Sequence, residues 1–220
     1  MPNESVCYPP CAARYFAERS KAKLFLGTPV TTISDTGVTT QNGAHIPAAT
    51  TIVATGARSP EVTPRKGHLL ITDRYPGFLS HILIELGYLK SAHSTSADSV
   101  AFNAQPRPTG QILLGSSRQY GATDPGVDKN MLANMLRRAL EYMPALSKLR
   151  AIRTWTGFRA ATPNKLPIVD RHPQYKNVYV NTGHEGLGIS TSLATARLIA
   201  DQVLNRDSAI PRQPYAYMSN

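Results

Sequence analysis

A chain of 220 residues is long enough for one large domain or two small ones with a real core. Its apolar fraction of 41% is ordinary for a globular protein and its charged fraction of 17% is low, while no apolar run approaches the roughly 20 residues of a membrane-spanning helix. The formal net charge of +10 raises nucleic-acid binding, but Lys and Arg are scattered, "ERSKAK" is the densest cluster, and aromatics are not interleaved with it. A basic cleft for a small anion explains the charge equally well, so nucleic acid is not an expected partner.

The N-terminus, "MPNESVCYPPC", has neither a basic n-region nor an apolar h-region, which points to a cytoplasmic protein. Cys7 and Cys11 have no second Cys pair or His at ligand spacing, so they read as reduced thiols and not as a zinc site.

In chain order, "PPCAARYFAERSKAKLF" predicts a helix starting after Pro10, with a basic end suited to a helix C-terminus. Val30 to Ile33 are strand-like, and the turn signals at Asp35–Gly37 and Asn42–Gly43 predict hairpins. "ATTIVATGARSP" reads as a short buried strand ending at Gly56. "GHLLITDR", "SVAFNAQP" and "GQILLGSS" then read as strands of an antiparallel sheet. Between Val127 and Met143 the apolar residues fall at helical spacing, and this Met-containing stripe predicts a helix covering that sheet, ended or kinked by Pro144. "AIRTWTGF" is a further strand, and the tail "PRQPYAYMSN" reads as a loose end.

Three stretches carry chemistry. "GHEGLGIS" is a glycine-rich strand-to-helix turn. No acidic-ended second strand follows it, so it is not the first turn of a dinucleotide fold. It aims N–H groups and a helix dipole at a polar ligand, or it is a turn with no ligand at all. "TWTGFRAATPNKLPIVD" places Arg159 in a Gly/Pro-framed segment, either as a bidentate partner for a carboxylate or as a surface ion-pair residue. "TIVATGARSP" delivers Thr55, Gly56 and Ala57 to a strand end, where α/β proteins bind ligands. No Ser/His/Asp or Cys/His arrangement is apparent.

Taken in register, "YPP" with its helix, "GTPV", "IVATGARSP", "KGHLL", "GQILLGS", "WTGFRAATPNKLPIV" and "GHEGLGISTSLATARLIADQVL" resemble the D-amino-acid oxidase-like family of FAD-dependent oxidoreductases. That family includes glycine oxidase, sarcosine oxidase β-subunits and D-amino-acid dehydrogenases. The resemblance runs from about residue 7 to 204 and is strongest between Trp155 and Ala200. It implies an α/β fold in which a partial, Rossmann-like FAD-binding domain is interleaved with an antiparallel-sheet substrate domain. The FAD-binding part would comprise residues 1–60 and 157–206, the substrate domain 61–156 and the tail 207–220.

The resemblance also implies roles. Val30 would touch the adenine, and Thr55, Gly56 and Ala57 would lie beside the FAD pyrophosphate. Gly183, His184, Glu185, Gly186, Leu187, Gly188 and Ile189 would wrap the pyrimidine edge of the isoalloxazine, although His184 reads equally as a turn-stabilising residue. Arg159 would clamp the carboxylate of a small amino or imino acid. Arg118 would fall on the strand lining the pocket, against the alternative of a solvated strand-end arginine. Gly188 is expected to need a positive φ or close backbone approach. The family begins with a GxGxxG unit that this sequence does not contain. The chain therefore resembles the C-terminal portion of such an enzyme: a truncated or split product, a fragment, or a subunit completed by a second polypeptide. The competing expectation is a non-catalytic chain that keeps the fold without binding FAD by itself.

Overall fold

A computed structural model describes residues 7–87 and 98–217. The backbone divides into two units, one formed by Met1–Val62 with Thr162–Asn220 and the other by Thr63–Ala161.

In the first unit, α1 (Pro9–Arg19) opens with prolines at its first two positions, where a missing N–H costs nothing, and Arg19 sits at its negative end. None of its residues is buried. The two turn signals fold β1 (Val30–Ser34), β2 (Gly37–Thr40) and β3 (His45–Pro47) into an antiparallel meander. Gly37 is obligatory there, because a Cβ would meet the Ile46 carbonyl oxygen at 2.2 Å.

A second sheet of the same unit has the order β10 (Ile168–Arg171), β11 (Val178–Thr182), β4 (Thr51–Val53). β11 runs antiparallel to β10 and parallel to β4. The buried strand expected before Gly56 is instead a three-residue edge with Ile52 47% exposed. β11 is the buried member, with Val178 and Val180 fully enclosed, because only it has neighbours on both sides. Helix α3 (Gly188–Val203) lays Leu198 and Ile199 against Val169 and Tyr179. Asp201 is buried among the guanidinium groups of Arg197 and Arg206, and the Arg197 hydrogen bond leads in holding its carboxyl below the ordinary range.

The C-terminal segment corrects the expectation of a loose end. Ile210 and Tyr215 pack on the α3 core, and Tyr217 ties back through its backbone N–H to Asp170 and through its hydroxyl to Glu61 at 2.9 Å. Tyrosines bury an apolar body while keeping a polar handle, which suits them to such a strap.

The second unit is a five-stranded antiparallel sheet ordered β6 (Leu83–Ile84), β7 (Ser99–Pro106), β8 (Ile112–Arg118), β5 (Thr63–Thr72), β9 (Ala151–Ala161). β9 stays paired with β5 as far as Thr63↔Ala161, so the strand bearing Trp155 and Arg159 belongs wholly to this unit. Helix α2 (Lys129–Tyr142) covers the sheet as the Met stripe predicts: Met131, Met135 and Ala139 are buried, and Met135 and Ala139 join Leu70, Phe102, Ile112 and Leu114 in one cluster. Asp128 caps it by accepting from the N–H groups of Asn130 and Met131.

Candidate functional site

Two constellations carry the residues singled out from sequence, one in each unit. The first grows from the parallel pair β4–β11, whose C-terminal ends release residues 55–57 and 183–189 at the same end of the sheet. Strand ends of this kind point backbone groups outward, toward a ligand. Thr182, buried at the end of β11, donates its hydroxyl to the Gly56 carbonyl oxygen at 3.1 Å and locks the two loops together.

Gly56 adopts a φ of +58° and begins a 3₁₀ turn, with nothing within 4 Å of where a side chain would stand. Gly183 is more tightly specified: its φ is +84°, and a Cβ would lie 2.5 Å from Thr162 Cγ2. Gly186 faces open space. The positive φ expected as one ground for Gly188 is corrected. Gly188 is the first helical residue of α3, lies outside the left-handed region, and a Cβ would meet only His184 Cβ at 3.4 Å. Glu185, by contrast, does take a positive φ, +46°.

Leu187, at the N-cap of α3, contributes no side-chain cap to the helix, and Leu187 and Ile189 are more than half exposed. The helix's positive end therefore rests on backbone alone. His184 turns inward: its Nε2 lies 3.0 Å from Thr195 Oγ1, two turns into α3, and burial lowers its pKa. This contact ties the turn to α3 through His184. Val30 begins β1, half-exposed, in a sheet separate from these loops.

The second constellation centres on Arg159 in β9. The half-buried side chain lies across Gly67 of β5 and donates from Nη1 to the Ser117 carbonyl oxygen at 2.9 Å. Arg65 is its direct cross-strand partner, buried, with its guanidinium 4.6 Å from the Tyr120 ring centroid. Arg118 ends β8 and is only 4% exposed, which corrects the solvated strand-end reading.

Sequence reasoning passed over the support behind Arg159. His68 is fully buried in β5. Its Nε2 accepts the Asp128 N–H at 3.0 Å, which in a neutral imidazole places the proton on Nδ1, 2.9 Å from Ser117 Oγ. Ser117 Oγ also accepts the His68 backbone N–H at 2.9 Å. The adjacent Lys66, 2% exposed, donates to both oxygens of Asp124 at 3.1 Å. The only sequence signal was the density of polar residues in a strand that is otherwise core, "RKGH".

Burial leads in lowering the His68 pKa from 6.5; Lys66 adds to this and Asp128 and Asp124 oppose it. The unfolded chain therefore binds a proton that the fold refuses. His68 should destabilise the fold as pH falls below about 6.5, levelling off beneath its folded pKa, and His184 should act with the same sign. Melting temperatures between about pH 5 and pH 8 should decline at the acid end, and His68→Gln should flatten the decline. An unchanged slope in the variant would show that His68 is not kept neutral.

The sequence profile of the DAO family, described as FAD dependent oxidoreductase, matches residues 2–202. Glycine oxidase of Pseudomonas aeruginosa is 27% identical over 190 residues, 82% of this chain and 48% of that protein. Hydrogen cyanide synthase subunit HcnC of the same organism is 30% identical over 161 residues, 71% of this chain and 35% of its own length. Among solved structures, glycine oxidase from Geobacillus kaustophilus superposes with a TM-score of 0.78 at 24% identity, covering 96% of this chain and 57% of that one. The chain thus spans about half the length of these two glycine oxidases. No described helix is long and apolar enough to cross a membrane. With a family profile running through nearly every element described above, the chain belongs to the DAO family of FAD-dependent oxidoreductases.

Proposed function

We propose that this chain carries the substrate-carboxylate contact and the isoalloxazine contact of an enzyme that oxidises the C–N bond of a small amino or imino acid, D-configured or cyclic. The observation that carries this reading is the seating of Arg159. Arg159 stands half-buried on β9 with its Nη1 anchored to the Ser117 carbonyl oxygen, and a guanidinium held in one orientation is the side chain whose planar geometry matches a carboxylate. Such a clamp fixes the α-carbon of the substrate and leaves its amine free to lose a proton.

The first constellation fits FAD by the chemistry of its donors. Backbone N–H groups at the uncapped start of α3, with the helix dipole behind them, suit an electron-rich ring edge. The open space at Gly56 and Gly186 admits close approach to backbone. Residues 183–189 would hold the pyrimidine edge, Thr55, Gly56 and Ala57 one flank of the pyrophosphate, and Val30 the adenine. Bound FAD supplies the two-electron acceptor. The product imine is then open to hydrolysis by water, so no protein nucleophile is required.

The sequence contains no GxGxxG turn. We therefore assign the rest of the pyrophosphate cradle to polypeptide beyond these residues, on the same chain or on a partner. The similarity to a protein named as a subunit, HcnC, supports the second possibility. A chain that keeps the fold without chemistry is the rival reading.

The test is anaerobic. The chain is mixed with FAD, alone and with the remaining half of a glycine oxidase, and challenged with glycine, D-alanine, D-proline and their decarboxylated amines. Loss of the oxidised-flavin bands with the carboxylated compounds only is the expected result. No bleaching in the complemented mixture would leave the non-catalytic reading standing.

A further inference from the structure

The interactions behind Arg159 form a continuous series across three strands and a helix. The Asp128 N–H, at the N-cap of α2, donates to His68 Nε2, and His68 Nδ1 meets Ser117 Oγ. The Ser117 carbonyl oxygen receives Arg159 Nη1. Ser117 is 1% exposed and its hydroxyl is held twice by one residue, through the His68 backbone N–H and the His68 ring. That carbonyl consequently has little freedom to rotate. The floor beneath the guanidinium is Gly67, where a Cβ would lie 2.4 Å from Nη1 and 3.0 Å from Cζ and Nη2. Its cross-strand neighbour, Gly157, also lacks a side chain.

We propose that Gly67, His68 and Ser117 are positioning residues that seat the Arg159 guanidinium before a substrate arrives. The geometry divides the work. Gly67 supplies the space, since any side chain there would lift the guanidinium off the sheet. Ser117 supplies the fixed acceptor. His68 in its neutral form ties that acceptor to the α2 N-cap, and a protonated ring could no longer accept the Asp128 N–H. The charged groups facing this imidazole are Lys66, Asp124 and Asp128. Arginine has a long, rotatable stem, and each rotamer-rich side chain immobilised on binding weakens affinity. A seated guanidinium has already lost that freedom. The purpose of the seat rests on the carboxylate-binding reading of Arg159, but the seat itself is a property of the ligand-free chain.

Nitrogen-15 NMR of the full chain tests it without flavin. The Arg159 Nη–H signals are assigned by their loss in Arg159→Gln, and their solvent exchange is measured in the parent at low temperature. Gly67→Ala is expected to speed that exchange roughly tenfold while the backbone spectrum beyond β5, β8 and β9 is retained. His68→Asn, which keeps a donor for Ser117 but loses the link to Asp128, is expected to give a smaller acceleration and carries the test if Gly67→Ala does not fold. Equal exchange in the parent and the folded variant overturns the proposal.

A propionate titration of the same samples separates the two readings. Weaker binding by about tenfold in Gly67→Ala, with none in Arg159→Gln, supports seat and clamp together. Equal propionate binding in parent and Arg159→Gln removes the clamp, while the exchange data still decide the seat.

Discussion

Replacing Arg159 by alanine is expected to cost about 2–5 kcal/mol in kcat/KM toward a carboxylated amine in the flavin-loaded, complete protein, the range for removing one partner of a desolvated charge pair. Two losses add in that variant. The substrate carboxylate loses its guanidinium, and the buried Ser117 carbonyl loses the N–H that satisfies it. KM should rise most, because the clamp acts on the bound substrate and its transition state alike. Arg159→Lys should recover only part of the loss: an ammonium can reach a carboxylate, but it lacks the planar fork that also spans Gly67. Steady-state kinetics on the three proteins decide the matter. If the alanine variant matches the parent, Arg159 has no part in substrate binding.

The second large effect separates two glycines that look alike in the sequence. Gly183→Val should destabilise the fold by about 2–5 kcal/mol, from a left-handed φ that β-branched residues avoid and a contact with Thr162 that cannot be relieved cheaply. Gly188→Ala should leave the melting temperature unchanged or slightly raised, since it sits in the first turn of α3 with ordinary helical space around it. Its added methyl nevertheless stands at the helix end assigned to the flavin ring, so FAD affinity should fall. Thermal melts and flavin fluorescence titrations check both. A Gly188→Ala protein that binds FAD as the parent does would move the ring contact away from the start of α3.

Local rules carried much of the architecture. Asn42–Gly43 and Asp35–Gly37 announced the meander because turn chemistry is written in the turn residues themselves. The Met131 and Met135 stripe announced a covering helix because helical periodicity survives any tertiary context. The failures share a different cause. Whether Ile52 is covered depends on which strand lies beside β4, and whether Arg118 is solvated depends on what closes over the end of β8. Neither neighbour is encoded locally. Tyr217 reaches Glu61 across most of the chain, a contact no window of sequence contains. The candidate site divides the same way: Arg159 and the glycine loop were legible as motifs. The seat made by Gly67, His68 and Ser117 emerges only from the register of three strands.

The strand pairing Thr63↔Ala161 has a kinetic consequence. The parallel contact of β4 with β11, Thr51↔Val178, closes a loop of more than half the chain, and such closures are slow because entropy is lost before contacts form. Yet the second unit enters and leaves through residues that are partners in one antiparallel ladder. Once that ladder zips, the open loop shrinks to two short arms, residues 54–62 and 162–177, roughly two halvings of length and about 1.2 kcal/mol less closure entropy. The topology thus biases the order of assembly. Early formation of the inserted sheet is favoured, and the split unit then condenses on ends already brought together.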